Sequence, residues 1–561
     1  MLILKEAIRE DRLFKKYVDP LETQNGLRAE THTATMIASY GLKEKNLRRS
    51  DRVSEHRKEK IMNILLVYPK YPDTFWSFKH ALKFISKKAL HPPLGLLTVA
   101  GMLPEAWEKK LVDMNITNLE TKDLQWADYV FLSAMAVQKA SVREVISRCS
   151  DAGVRIVAGG PLFTAAHEDF PEVDHLVLNE AENTFPSFLD DLAAGNAGHL
   201  YTSDEFPSLD KTPIPLWKLL DMKRYVSMNV QYSRGCPFSC EFCDITTLYG
   251  RKTRTKTVSQ VLDELESLYS IGWRGGVFFV DDNFIGNKKE LKEDVLPAII
   301  GWMKRRKYPF DFATEASINL ADDDDLIRLM IRAGFESVFV GIETPDEKVL
   351  QECNKFQNTN RDLVACVQKI QKFGLNVRGG FIVGFDNDSP ETFDRQIDFV
   401  QKSRIITAMV GMLNAPRGSR LYERLAKEGR LTKDISGDNT DFSTNIIPIM
   451  GYEKLVEGYR KIINGIYSPN SYYERVKAFL QEYKPLEKRK RHFDFRSILQ
   501  RVRYLGAPFK TMIVLGIKDN ARRYYWKLLF WSLFRRPRLL PQAITYSIYG
   551  FHFRKVFENH L

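Results

Sequence analysis

From Ile61 onward the chain alternates two patterns. Short runs of Val, Ile, Leu, Phe and Tyr at Ile61–Tyr68, Lys110–Met114, Tyr129–Ala134, Arg155–Ala158 and His175–Leu178 predict strands. Between them, stretches such as Pro93–Met102 and Ser141–Cys149 repeat apolar residues with helical spacing. Strands separated by helices favour parallel pairing, because each crossover helix lays its apolar face back on the sheet. Residues 61–205 are therefore predicted to form an α/β, doubly wound, Rossmann-like domain. A connector at 206–225, Pro-rich over Phe206–Trp217, interrupts the pattern. It resumes over 226–425, with strands predicted at Met228–Tyr232, Gly276–Val280, Phe310–Thr314, Ser337–Ile342, Val377–Val383 and Ala408–Leu413. Residues 426–561 read as mainly helical, as in Tyr452–Ile466 and Tyr472–Tyr483, and the polar, aperiodic residues 1–60 predict an extension of low order.

At 561 residues the chain is too long for one core, in keeping with this division. Hydrophobic residues at 44% and charged residues at 27% are ordinary for a folded soluble protein. The start, Met1-Leu-Ile-Leu-Lys5, runs at once into charge, so no secretory segment is predicted. Charge changes the picture more. The net charge is +12, and Glu487–Arg538, with fifteen Lys/Arg against three acids, carries the whole excess. A basic, aromatic-rich segment suits an anionic surface, either lipid headgroups or nucleic acid.

The candidate chemistry begins in Tyr232-Ser-Arg-Gly-Cys-Pro-Phe-Ser-Cys-Glu-Phe-Cys-Asp244, just after a predicted strand. Cys236, Cys240 and Cys243 have C-x3-C-x2-C spacing, three of the six cysteines in the chain. Three thiolates on a tight loop suit three irons of a 4Fe-4S cluster, leaving the fourth iron open to a small molecule. A zinc site wants four protein ligands, and His167 or His199 would have to come from far away. A disulfide framework suits small secreted chains, and Gly235 and Pro237 shape a ligand loop rather than a packed core. Cluster thiolates fit a reducing cytoplasm.

This loop, with Phe242 before its third cysteine, resembles that of the radical S-adenosylmethionine enzymes. The resemblance implies a partial (β/α)6 barrel over 226–425. It also implies a cluster on Cys236, Cys240 and Cys243 that binds S-adenosylmethionine and cleaves it to a 5′-deoxyadenosyl radical. Later strand ends supply the expected contacts to S-adenosylmethionine: Asp281 and Asp282 after the second, Glu315 after the third, Glu343 after the fourth, Gly379 and Gly380 in the fifth, and Asn414 after the sixth. Taken singly, Asp281 and Asp282 read equally well as helix caps and Glu343 as a partner for an arginine. The run Asp322–Asp325 reads as a solvated helix start, and Cys353 and Cys366 as packing residues.

The first half, with Ala158-Gly159-Gly160-Pro161 and Asn179-Glu180-Ala181-Glu182 at strand ends, is similar to the cobalamin-binding domain of one branch of that family. Gly159, Gly160 and Glu180 are its candidate cofactor contacts. The D-x-H-x-x-G box that gives cobalt a histidine in some cobalamin proteins is absent, since the chain reads Asp113-Met114-Asn115. The resemblance therefore implies base-off cobalamin without a histidine ligand; persistence of the fold with loss of the cofactor is the alternative. His91, His167 and His175 read as surface or supporting residues rather than ligands.

The basic stretch Arg522–Arg538 holds an apolar core of only seven residues, Leu528–Phe534, against roughly 20 needed to span a bilayer. It can lie on a membrane, at the inner face of the cell membrane, or pack as an ordinary helix; no RNA-binding module accompanies it, so nucleic acid is not expected. The whole arrangement resembles the cobalamin-type radical enzymes of polycyclic and isoprenoid membrane lipids, the branch of hopanoid C-2 methylases and tetraether ring synthases. It implies a methyltransferase acting on an unactivated carbon of a membrane lipid. One S-adenosylmethionine would methylate cobalamin and a second would yield the radical, with electrons from a reductant such as flavodoxin or ferredoxin. Radical ring formation on an isoprenoid lipid, or a non-catalytic cobalamin sensor, are the alternatives.

Overall fold

A computed structural model describes residues 61–432, 435–484 and 506–558. The expected extension at 1–60 and residues 485–505 of the basic segment lie outside them. In the first half, β1 (Asn63–Tyr68), β2 (Glu108–Asp113), β3 (Tyr129–Ser133), β4 (Arg155–Gly159), β5 (His175–Val177) and β6 (Leu200–Tyr201) form one parallel sheet in the order β2-β1-β3-β4-β5-β6. Helices α1 (Leu94–Met102) and α3 (Ala181–Ala194) cover one face; α2 (Lys139–Ala152) covers the other. Ile64 and Leu66 point to the first layer with Phe185 and Phe188, and Leu65 and Val67 to the second with Val142 and Ile146. Burial on both faces is why β1 reads as an unbroken apolar run. The strand order reverses between β1 and β3, which opens a crevice beyond their carboxyl ends.

The second half is a parallel array in the order β14-β13-β12-β11-β10-β7. It comprises β7 (Ser227–Val230), β10 (Gly275–Phe279), β11 (Phe310–Glu315), β12 (Phe335–Glu343), β13 (Asn376–Val383) and β14 (Ala408–Met412), with a small antiparallel pair, β8 (Ser233–Arg234) and β9 (Arg254–Thr255), above it. The outer helices are α4 (Val258–Ser270), α5 (Leu296–Arg305), α6 (Asp324–Ala333), α7 (Leu363–Phe373) and α8 (Pro390–Ser403). Thr257 and Gln260 start α4 by bonding each other's backbone N–H at 3.3 and 3.0 Å. Asp323 of the acidic run caps α6, accepting from Leu326 N at 3.0 Å.

Helices α9 (Tyr452–Tyr467), α10 (Pro469–Glu482), α11 (Gly506–Ile513), α12 (Arg522–Arg535) and α13 (Leu540–Glu558) follow. Tyr467 OH donates to Ala408 O at 2.7 Å and Tyr459 OH to Val410 O at 3.0 Å, so α9 satisfies carbonyls along the edge strand β14. One apolar core runs from Val340, Phe381 and Val410 into Tyr459, Tyr472 and Phe553, joining these helices to the barrel. Phe553 of α13 also stacks on Phe75, ring centroids 4.3 Å apart. Among the described residues no helix is long and apolar enough to cross a membrane.

Candidate functional site

The cysteine loop leaves β8 through Gly235, whose φ of +87° and whose closeness to the Gly250, Tyr249 and Lys252 carbonyls admit no Cβ. Burial pushes the Cys236 and Cys243 thiols up, with the neighbouring Cys240 adding to it. Each of the three sulfurs nevertheless faces an N–H donor: Phe238 backbone for Cys236, Ile245 backbone for Cys243, and Gln357 Nε2 at 3.6 Å for Cys240. Lys355, whose charge is felt at Cys236 and Cys243, pairs with Glu343 at 2.6 Å. Donors and a cation around three thiolates fit a thiolate-held iron cluster, where sulfur carries negative charge. No three His, Cys, Asp or Glu side chains among the described residues converge as a single ion would require. A cubane instead spreads its thiolates over separate irons.

Three carboxyls gather beneath this loop. Asp281 accepts from Tyr232 N at 3.3 Å, from Ser233 Oγ at 2.6 Å and from Ser233 N. Asp282 accepts from Gly235 N at 3.0 Å. No side-chain or backbone donor among the described residues bonds the Glu315 carboxyl. Burial, then the charges of Asp282 and Asp281, pushes Glu315 up to about 8; burial above all lifts Asp281 to about 7 and Asp282 to about 6. A ligand ammonium would relieve that repulsion.

Asp282 and Glu315 open on a cavity of about 1920 Å³ that reaches the carboxyl ends of the first sheet, where Gly159, Gly160 and Glu180 also line it. Gly160 has φ +88°, and a Cβ there would meet Ser133 Oγ at 2.5 Å, so only glycine makes this turn beneath the cavity. On β7 and just beyond it the lining follows the two-residue period of a strand, with Ser227, Asn229 and Gln231 facing the cavity, whereas β11 borders it along Asp311–Glu315. Where the D-x-H box would put its histidine, Asn115 borders the cavity with its amide already engaged: its Nδ2 lies 2.8 Å from Asp113 Oδ1, and its Oδ1 accepts from Tyr71 N at 3.0 Å. Small residues at the strand ends and a wide cavity fit cobalamin held without that ligand.

Other expected contacts lie elsewhere. Gly379 and Gly380 do not line the cavity; a Cβ on Gly380 would strike Phe339 Cζ at 2.7 Å, and one on Gly379 the Phe381 ring at 2.8 Å. They make room for the protein's own aromatic rings rather than for a ligand. Asn414 bonds Met412 O at 3.1 Å and takes the Asn445 N–H at 3.2 Å, bracing the loop after β14. Asp281 faces the cysteine loop, and Glu343, at φ +63°, faces Lys355. Phe242 packs edge-on against Phe385, with Lys355 Nζ 5.9 Å from its ring centre. Glu180 lines the cavity while taking Arg254 Nη2 and Arg234 Nη1, each at 2.6 Å. His91 and His175 are not surface residues. His175 is buried, and His91 lines the cavity, where burial, then the Arg378 charge, lowers it to about 3 and keeps it neutral.

Residues around the site that sequence reasoning passed over are Arg234, Arg254, Gln357, Lys355, Arg378 and Asn229. Only Asn229 carried a signal, as the middle of three polar residues at alternate positions of an otherwise apolar strand run.

Residues 84–189 match the B12 binding domain family, 230–400 the Radical SAM superfamily, and 419–561 a domain of unknown function (DUF4070). An uncharacterized methyltransferase, sll1242, of Synechocystis sp. is 40% identical over 496 residues, 88% of this chain and 91% of that protein. The hopanoid C-2 methylase of Rhodopseudomonas palustris is 34% identical over 417 residues, 73% of this chain and 78% of that one. Among solved structures, the cobalamin-dependent S-adenosylmethionine radical enzyme OxsB, with aqua-cobalamin and S-adenosylmethionine bound, superposes with a TM-score of 0.55 at 14% identity, covering 90% of this chain and 81% of that one. That likeness is one of fold.

Proposed function

Because the chain belongs to the cobalamin-binding radical S-adenosylmethionine methyltransferases, we propose that its methyl acceptor is an unactivated carbon of a polycyclic or isoprenoid membrane lipid, a hopanoid first among them. The 4Fe-4S cluster and cobalamin supply, when bound, one-electron cleavage of S-adenosylmethionine and a methyl carrier. Cys236, Cys240 and Cys243 hold the cluster, with Gln357 and two backbone amides easing charge on sulfur. Asp282 and Glu315 take the ammonium of S-adenosylmethionine, and both then carry charge. Asp281 serves them indirectly, by fixing the loop at Tyr232 and Ser233. Gly159 and Gly160 leave room for cobalamin at the sheet ends. A donor such as flavodoxin or ferredoxin supplies the electron.

The observation that carries the lipid reading is the wall of the cavity between the two halves, which includes Trp76, Phe78, Phe278, Phe339, Met409 and Tyr549. An aromatic wall binds hydrocarbon and excludes water from a reactive intermediate. Arg378 lines the same cavity and its guanidinium makes no ion pair or hydrogen bond among the described residues, so it suits the polar end of an amphiphile. The similarity to hopanoid C-2 methylase supports the choice of lipid. The test is expression in a hopanoid-producing bacterium lacking its own C-2 methylase and fed trideuteromethyl methionine. Hopanoids carrying an intact labelled methyl group are expected. Unlabelled hopanoids, from cells whose purified enzyme still forms 5′-deoxyadenosine, would overturn the substrate and leave the reaction class standing.

A further inference from the structure

Phe509, Ile513 and Ile517 lie at successive helical turns of α11 and the π turn Val514–Lys518, and Phe530 and Phe534 one turn apart on α12. All five are at least half exposed, Phe534 at 78%. Packing does not force them outward, since the two helices already bury Thr511, Leu515, Tyr525 and Leu528. Thr511 Oγ1 meets Tyr525 OH at 3.1 Å, Trp526 Nε1 donates to Gly516 O at 2.9 Å, and Trp526 stacks on Phe530 with centroids 5.5 Å apart. The two helices therefore form one hairpin that carries the apolar residues together.

The charge around this face is one-sided. Lys518, Arg522, Arg523, Lys527, Arg535 and Arg538 are exposed and make no ion pair among the described residues. Asp519, the one acid from 506 to 538, is taken by Arg554 at 2.5 Å.

We propose that this hairpin is a docking surface for an anionic lipid bilayer. Its aromatic and aliphatic side chains would enter the acyl boundary while the cations meet lipid phosphates, with Trp526 at headgroup level. A second copy of the chain fits poorly, because a two-fold contact would bring the same unpaired cations together. Nucleic acid would use the cations and leave the apolar residues wet. Helix α12 packs on α13, whose Tyr549 lines the cavity, so a docked bilayer lies one helix away from that wall. The surface goes beyond the substrate reading and does not rest on it.

The test is flotation of the full-length protein with phosphatidylglycerol-containing vesicles and with phosphatidylcholine vesicles. Wild type is expected to float with the anionic vesicles and to lose most binding on phosphatidylcholine or in high salt. Phe509→Ser/Phe534→Ser and Arg522→Gln/Arg523→Gln are each expected to weaken binding about tenfold or more with unchanged melting temperature. Failure of wild type to float, or wild-type flotation of the serine pair, overturns the proposal. So does a concentration-dependent dimer that the serine pair abolishes while no vesicle binding is seen.

Discussion

Replacing Arg234 with alanine removes the cation that joins the first sheet to the cysteine loop. Its guanidinium lies 2.6 Å from Glu180 and 2.8 and 2.9 Å from Glu182, and the three side chains are 11%, 3% and 2% exposed. Glu180 keeps Arg254, whereas Glu182 is left with the Thr212 hydroxyl at 2.6 Å. Burial alone would raise the Glu182 carboxyl, and Arg234 outweighs it, holding the group at about 2 rather than 4.5. That difference corresponds to about 3 kcal/mol. Removing one member of a buried pair costs about 3–5 kcal/mol, so the two routes meet near the lower figure. The folded-state value lies below the unfolded one, so this contribution is complete above about pH 4.5 and is lost as pH falls toward 2. Urea unfolding followed by tryptophan fluorescence should show a penalty of about 3 kcal/mol at neutral pH that shrinks on acidification. Glu182→Gln/Arg234→Ala should cost less than the sum of its single changes. A penalty below about 1 kcal/mol, one constant with pH, or strict additivity would refute the reasoning.

Glu315→Gln acts in the opposite sense: a carboxyl raised from 4.5 to about 8 destabilises the fold increasingly as pH rises between those values. Without S-adenosylmethionine, the variant's melting temperature should gain on wild type across that range, and a flat difference would contradict this. Gly458→Ala in α9 drives a methyl into the Phe393 ring and should cost about 1–3 kcal/mol by chemical unfolding. Gly301→Ala in α5, which meets only the flexible end of Arg305 at 3.4 Å, should gain about 0.5–1 kcal/mol. Equal effects at the two glycines would show that packing is not the cause. Phe339→Ala removes the ring between Trp76 and Gly380; it should preserve 5′-deoxyadenosine formation while lowering methylated lipid about tenfold, and an unchanged ratio would argue against substrate contact there.

What the sequence made legible followed from local rules. The apolar runs marked five strands of the first sheet and six of the barrel, because parallel strands buried on both faces leave no polar interruption. Leu200–Tyr201 was missed, being only two residues long. The cysteine loop and the carboxyls Asp282 and Glu315 could be placed near one another because they follow strands directly, and the structure gathers them at one end of the barrel. Arg234 and Arg254 could not be placed, since their partners lie 52 to 74 residues away and meet them only when the two halves pack together. For Gly379 and Gly380 a glycine pair signals close approach, and sequence alone does not say what approaches; in the structure it is the Phe381 and Phe339 rings. The C-terminal helices read correctly as helices, but their tyrosine bonds to β14 depend on an edge strand that only the assembled barrel defines.

The central claim is that the three-cysteine loop generates a radical whose use is coupled to methylation of a lipid in the adjoining cavity. The direct measurement is product stoichiometry from anaerobically reconstituted enzyme with cobalamin, S-adenosylmethionine, reductant and a hopanoid substrate. Wild type should form 5′-deoxyadenosine and S-adenosylhomocysteine in equal amounts, each matching methylated lipid, and Cys240→Ala should form none of the three. Undiminished 5′-deoxyadenosine from Cys240→Ala, or methylated lipid without 5′-deoxyadenosine, would contradict the account.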